Sequence, residues 1–221
     1  MSLKTGFDNL DNIMGDINST DLIAIASCLG MGKSTLAYNI ANATSKQSKG
    51  KVLYFMLDAN KEILKERITN NNVEIVVDDT ITVERIERKC KMVAKTGLSL
   101  VVVDYLQLVS TSSITDCRLR QIDYISRTLK TITLELNVPI IVLSQLGRQG
   151  EERANKRPLL RDLDVMGSLV QDSDRVIFLY RENYYNKDYE LNDTEIIVAK
   201  NRYGATGKVD LLFDSDTQTY K

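Results

Sequence analysis

Apolar and polar residues fall into alternating blocks along this chain. Short, nearly unbroken runs of apolar residues, many of them Val, Ile and Leu, recur at 22–26, 52–57, 73–77, 99–104, 139–144 and 175–180. Such runs fit parallel strands covered on both faces, where neither side of the strand meets water. Between them the period changes. Val83, Ile86, Cys90 and Val93 recur at helical steps, as do Leu119, Ile122, Ile125, Leu129, Ile132 and Leu136. That spacing gathers one apolar stripe and predicts helices over 82–95 and 119–136. Thr82 is placed to cap the first, with Glu84 favourable in its first turn, and Pro139 opens the strand after the second. A further helical pattern begins at Thr35. The alternation predicts an α/β fold, a mostly parallel twisted sheet flanked by helices. The end of the chain departs from it: strands at 195–200 and 208–213 flank Asn201–Gly207, which reads as an antiparallel hairpin. Segments 109–117, 146–168 and 183–193 read as mobile polar loops. No internal repeat or Pro-rich linker divides the chain, so 1–221 reads as a single domain.

Composition narrows the chemistry. With 221 residues, 43% hydrophobic and 27% charged, the chain suits one sizeable globular domain. No apolar run approaches the ~18 residues of a membrane span, and no charged-then-apolar leader opens the sequence. Cys28, Cys90 and Cys117 are widely spaced and match neither a disulfide framework nor a zinc site, so a reducing cytoplasm is the natural setting. Histidine is absent, which removes Ser-His nucleophiles, imidazole acid–base chemistry and His metal ligands. Any hydrolysis must rest on carboxylates, Lys, Arg, a metal or positioned water. A net charge of −1 leaves nucleic-acid binding to a local basic patch.

Ser27-Cys28-Leu29-Gly30-Met31-Gly32-Lys33-Ser34 lies between the first apolar strand and a helix. This is the setting of a Walker A phosphate loop, although Ser27 stands where the usual pattern has Gly. Gly30 and Gly32 permit the backbone turns and close approach that a phosphate cradle needs. Lys33 adds positive charge, and the Ser34 hydroxyl suits Mg²⁺. Thr35 opens a helix whose N-terminal dipole faces the same anion. The loop therefore predicts a nucleoside triphosphate site spanning Gly30, Met31, Gly32, Lys33, Ser34 and Thr35.

Four further features lie at strand ends. Leu100-Val101-Val102-Val103-Asp104 is an apolar strand closing on an acid, the pattern of a Walker B magnesium carboxylate. Asp58 follows the strand at 52–57, where α/β sheets place their ligands; it suits a base orienting water, or a solvated loop acid. Gln145 ends the strand at 139–144 and suits a γ-phosphate sensor or a simple turn. Lys200 and Arg202, two residues apart near a strand end, should point the same way. They suit a finger reaching a neighbour's γ-phosphate, or the commoner solvated basic hairpin.

Taken in this order, these pieces resemble the C-terminal motor domain of DnaB-family replicative DNA helicases, which has the RecA fold. Thr5-Gly6-Phe7-Asp8-Asn9-Leu10-Asp11 resembles the family's opening segment, and Asp104-Tyr105-Leu106-Gln107-Leu108 its Walker B segment. Leu136-Asn137-Val138-Pro139 leading to Ser144-Gln145-Leu146, Lys156-Arg157-Pro158 and Gln171-Asp172-Ser173-Asp174 also match. So does the tail, Ile196-Ile197-Val198-Ala199-Lys200-Asn201-Arg202-Tyr203-Gly204 followed by Thr206-Gly207.

The resemblance implies roles. ATP and Mg²⁺ would bind the loop, with Ser34 and Asp104 at the metal. Asp58 would occupy the position of a catalytic Glu, one methylene shorter. Gln145 would couple nucleotide state to DNA-facing loops. Lys200 and Arg202 would act in trans on ATP of the adjacent subunit, in a homo-oligomeric ring, typically a hexamer, threaded by single-stranded DNA. The family's N-terminal primase-interacting domain and linker helix have no counterpart here, so a primase or a helicase loader would be met through other regions. The segment after Asp58 is also shorter than in the family. Where the family carries Arg-Glu-Ser-Gly in a DNA-binding loop, this chain has Asp164-Val165-Met166-Gly167. Exchanging Arg for an acid there weakens phosphate contact; Arg148, Arg153 and Arg161 are the candidates to compensate. The leading expectation is an ATP-driven, cytoplasmic helicase motor. The alternatives are a RecA-fold module that binds nucleotide without translocating, and a recombinase-like or clock-type ATPase.

Overall fold

A computed structural model describes residues 2–57, 70–78, 80–113, 117–164, 167–186, 188–214 and 217–221. Nine strands form the sheet: β1 (Leu22–Ser27), β2 (Lys51–Met56), β3 (Val73–Val77), β4 (Leu98–Asp104), β5 (Ile140–Gln145), β6 (Arg175–Tyr180), β7 (Asp193–Asn201), β8 (Gly207–Asp214) and β9 (Thr219–Tyr220). Their order across the sheet is β3-β2-β4-β5-β1-β6-β7-β8-β9. From β3 to β6 every neighbouring pair is parallel. From β6 onward the pairs are antiparallel. The predicted hairpin is β7–β8, and the antiparallel region is larger than that hairpin: it begins one strand earlier and ends one strand later.

Alternation along the buried strands separates two cores. Ile23 and Ile25 of β1 face one side, Leu22, Ala24 and Ala26 the other. On the first side lie α1 (Asp8–Met14), through Leu10 and Met14, and α2 (Lys33–Gln47), through Leu36, Ile40 and Ala41. On the second lie α3 (Val83–Ala94), through Ile86, Cys90 and Val93, and α4 (Arg118–Leu136), through Ile122, Ile125, Leu129 and Ile132. Thr82 caps α3 by accepting from the Arg85 N–H. Asn137 ends α4 in the left-handed conformation, φ 54°, before Pro139. The polar segments are partly ordered. A 3₁₀ turn spans Arg148–Glu152, and helical turns span Leu160–Asp164 and Glu182–Tyr185.

β1 is central, between β5 and β6, and its two ends differ in character. At its start Asp174 accepts from the Leu22 N–H, from Lys130 and from Arg202. Fully buried Arg175 pairs there with Asp21 at 2.9 Å. Burial pushes the Asp21 carboxyl up, against the pull of Arg175. At the other end β1 runs out into the glycine-containing loop. No helix among the described residues is long and apolar enough to cross a membrane.

Candidate nucleotide site

The loop after β1 turns on two residues in the left-handed region, Gly30 at φ +79° and Gly32 at φ +93°. A side chain at Gly32 would be strained and would also run into the Tyr220 hydroxyl. Lys33 then starts α2, largely buried, with its ammonium 5.6 Å from the Tyr105 ring centre. Ser34 is half-buried and Thr35 buried in the first turn. The α2 N-terminus, the Lys33 charge and the turned backbone converge as a phosphate site requires.

Asp104, buried at the end of β4, faces this region from two strands away. Its Oδ2 accepts from the hydroxyl of fully buried Tyr54 on β2 at 3.0 Å. Burial, and then the adjacent carboxylate, pushes the Tyr54 phenol well above its ordinary value, so it stays a donor. The Leu57 N–H donates to the Asp104 carbonyl at 2.9 Å. Asp58, next in the chain, lies outside the described residues. Sequence reasoning missed Tyr54, whose only signal was one hydroxyl in an otherwise apolar run.

Gln145 ends β5 beside Ser27, its partner across the sheet. Gln107, in the turn after Asp104, ties the two segments together. Its Nε2 donates to Ser144 Oγ at 2.9 Å and to the Gln145 carbonyl at 3.0 Å, and its Oε1 accepts from the Gln145 N–H at 3.2 Å. Arg118 at the start of α4 holds the same turn by donating to the carbonyls of Gln107 and Val109. A second missed feature sits on the antiparallel side, where the Arg181 guanidinium lies 4.9 Å from the Phe213 ring centre.

Lys200 and Arg202 do face one segment, 170–174. The Lys200 ammonium donates to the carbonyls of Val170 at 2.7 Å and Ser173 at 2.6 Å. Arg202, with its side chain 57% exposed, meets Asp174 at 3.0 Å. Asp174 is bonded to Leu22, at the start of β1, whereas the phosphate loop leaves the end of that strand. Five residues of strand separate the two ends by about 16 Å. Both cations therefore sit away from the phosphate loop of their own chain.

Among the basic residues of 146–161, Arg153 is engaged twice by Asp162, at 2.6 Å to each oxygen. This pair holds the Asp162 carboxyl below its ordinary value. Arg148 and Arg161 are exposed. Beyond them, Asp123 of α4 accepts from the Ser168 N–H at 2.5 Å, just after the altered loop; Val165 and Met166 of that loop lie outside the described residues.

Fold and site together define a RecA-like ATPase domain, and comparison with known proteins agrees. The family model of the DnaB-like helicase C-terminal domain matches residues 2–79 and 68–221. The chain belongs to that family. It is 36% identical over 246 residues to the replicative DNA helicase DnaB of Geobacillus stearothermophilus, covering 96% of this chain and 54% of the relative. To the probable replicative DNA helicase of Trieres chinensis it is 35% identical, covering 97% of this chain and 56% of the relative. The chain thus spans little more than half the length of these relatives. Among solved structures it superposes on an isolated ATPase domain with TM-score 0.91 and 29% identity, over 99% of this chain and 90% of the other. A DnaB-like replicative helicase, solved with a view to its interactions with primase, gives TM-score 0.92 and 31% identity, over 99% of this chain and 61% of the other.

Proposed function

We propose that this chain is an ATP-driven motor that hydrolyses ATP with Mg²⁺ at a site shared between adjacent copies, moves along single-stranded DNA and separates duplex DNA during replication. The observation that carries the shared site is the distance along β1 between the phosphate loop and the Arg202 end. An arginine held at the far end of the strand can reach a γ-phosphate only on a neighbouring copy. A head-to-tail contact of that kind closes into a ring, and the family's typical ring is a hexamer. The DNA substrate is supported by the relatives' description as replicative DNA helicases.

The residues fit the nucleotide. Ser34 and Asp104 are the hard oxygen donors that Mg²⁺ takes, and the two left-handed glycines leave the loop's N–H groups unshielded. Mg²⁺ in this position would neutralise charge between the β- and γ-phosphates. Lys33 contacts the same phosphates. Asp58 orients water for in-line attack, and its shorter reach places that water less favourably than a Glu would. Gln145 reads the γ-phosphate, and Gln107 passes its position to the turn after Asp104. Lys200 and Arg202 stabilise charge developing on the neighbour's nucleotide. Arg148 and Arg161, exposed, are the better candidates for DNA phosphate; Arg153 is committed to Asp162. A primase is a candidate further partner, because one similar solved structure concerns a replicative helicase and its interactions with primase.

The test is ATP hydrolysis with and without single-stranded DNA over a range of protein concentrations, followed by mixing Lys33→Ala with Arg202→Ala protein. Stimulation by DNA, a more than linear rise with concentration and recovered activity in the mixture are the expected results. Hydrolysis indifferent to DNA and concentration, with no recovery on mixing, would establish the non-translocating alternative.

A further inference from the structure

Tyr220 joins the far end of the fold to the phosphate loop. Its hydroxyl donates to the Met31 carbonyl at 3.2 Å and lies 3.5 Å from that of Gly32. Three contacts fix the tyrosine. Its N–H donates to Asn39 Oδ1 of α2 at 2.8 Å. The Tyr38 hydroxyl donates to the Gln218 carbonyl two residues earlier. β9 pairs Tyr220 with Phe213, whose ring centre lies 5.4 Å from that of Tyr220.

Peptide geometry gives this contact a consequence. In a trans peptide the carbonyl and the following N–H point in opposite directions. A donor that holds the Met31 carbonyl on the Tyr220 side therefore turns the Gly32 N–H away from Tyr220, into the concave side of the loop. Glycine at 32 makes the opposite orientation accessible, since a residue without Cβ tolerates either peptide rotation. The freedom that lets the loop turn also lets it misorient, and one external hydrogen bond removes the misoriented form. Burial pushes the Tyr220 phenol up to about 12, so it keeps its proton through the neutral range.

We infer that Tyr220 is a positioning residue: its hydroxyl latches the Met31–Gly32 peptide so that the Gly32 N–H faces the phosphates of the bound nucleotide. The inference rests on the nucleotide-binding reading above. It deepens that reading by assigning phosphate-loop geometry to a residue nearly 190 positions away in sequence.

The experiment compares wild-type, Tyr220→Phe and Tyr220→Ala proteins by ADP titration calorimetry and thermal melting. Tyr220→Phe keeps the ring against Phe213 and loses only the donor. One hydrogen bond of about 1 kcal/mol corresponds to a loss of ADP affinity of about fivefold. The expected result is that loss with a melting temperature close to wild type, and in Tyr220→Ala a larger loss together with reduced stability. Unchanged ADP affinity in Tyr220→Phe would overturn the latch while leaving the nucleotide site intact. A fall in melting temperature that accounts for the lost affinity would make the residue structural and overturn it too. No ADP binding by the wild-type protein would refute the underlying reading, and the latch with it.

Discussion

The hydroxyl of Tyr54, in the middle of β2, donates to Asp104 Oδ2 at 3.0 Å across two neighbouring strands. A phenol in that place orients the one buried carboxylate proposed to serve the metal. Hydrogen bonds to charged groups are worth about 1.5–3 kcal/mol. Tyr54→Phe should therefore raise the Mg²⁺ concentration that half-saturates its effect on ADP binding about tenfold, while ADP binding without Mg²⁺ stays near wild type. A Mg²⁺ titration of ADP affinity reads this directly; identical midpoints would sink it.

Lys33 contributes charge to the phosphates, and its aliphatic stem lies in the first turn of α2. Lys33→Ala should weaken ADP binding by about a hundredfold or more and shift the melting temperature by only a few degrees. Calorimetry and thermal melting separate these effects. Near-normal ADP affinity would remove Lys33 from the site.

Gly32 combines φ +93° with the Tyr220 hydroxyl lying where a Cβ would go. Gly32→Ala should cost about 2 kcal/mol of stability and abolish ADP binding. Gly147 is the contrast. Its φ is −70° and nothing lies within 4 Å of an added Cβ, so Gly147→Ala should stay within about 0.5 kcal/mol of wild type in urea unfolding. Equal stability of the two variants would contradict the assigned geometry.

Glu195 of β7 accepts from Arg157 through both oxygens and meets Lys208 at 3.2 Å, fastening the 146–168 segment to the hairpin. The Arg157 hydrogen bonds, ahead of the opposing effect of burial, hold the Glu195 carboxyl below its ordinary value. A carboxyl lowered in the folded state contributes stability that is complete above its unfolded value. That contribution drains away as pH falls through the lowered one. Glu195→Gln should thus be less stable than wild type at pH 7, and the gap should close progressively below about pH 4.5. Urea unfolding of both proteins across that range checks the sign; a gap that widens in acid would reverse it.

Much of this protein is legible in its sequence because the relevant signals are local. Strand and helix follow from the spacing of apolar residues over one or two turns. β6 occupies the apolar run at 175–180, and α3 and α4 agree with their expected spans to within a residue or so. The phosphate loop is readable because left-handed turns demand glycine. α1 escapes because seven residues with two buried apolar positions, Leu10 and Met14, are too few to display a period. Pairings between distant residues are decided only by the tertiary structure. Tyr54 and Asp104 are 50 positions apart, and Met31 and Tyr220 are 189 apart. Which residues meet across such gaps depends on strand order, and no local period encodes that β2 lies beside β4 or that β9 returns to α2. The same holds for Lys200 and Arg202. Their chemistry is plain from the chain, but only the sheet shows that they lie at the opposite end of β1 from their own phosphate loop, because side-chain reach is short and strand length is fixed at about 3.3 Å per residue.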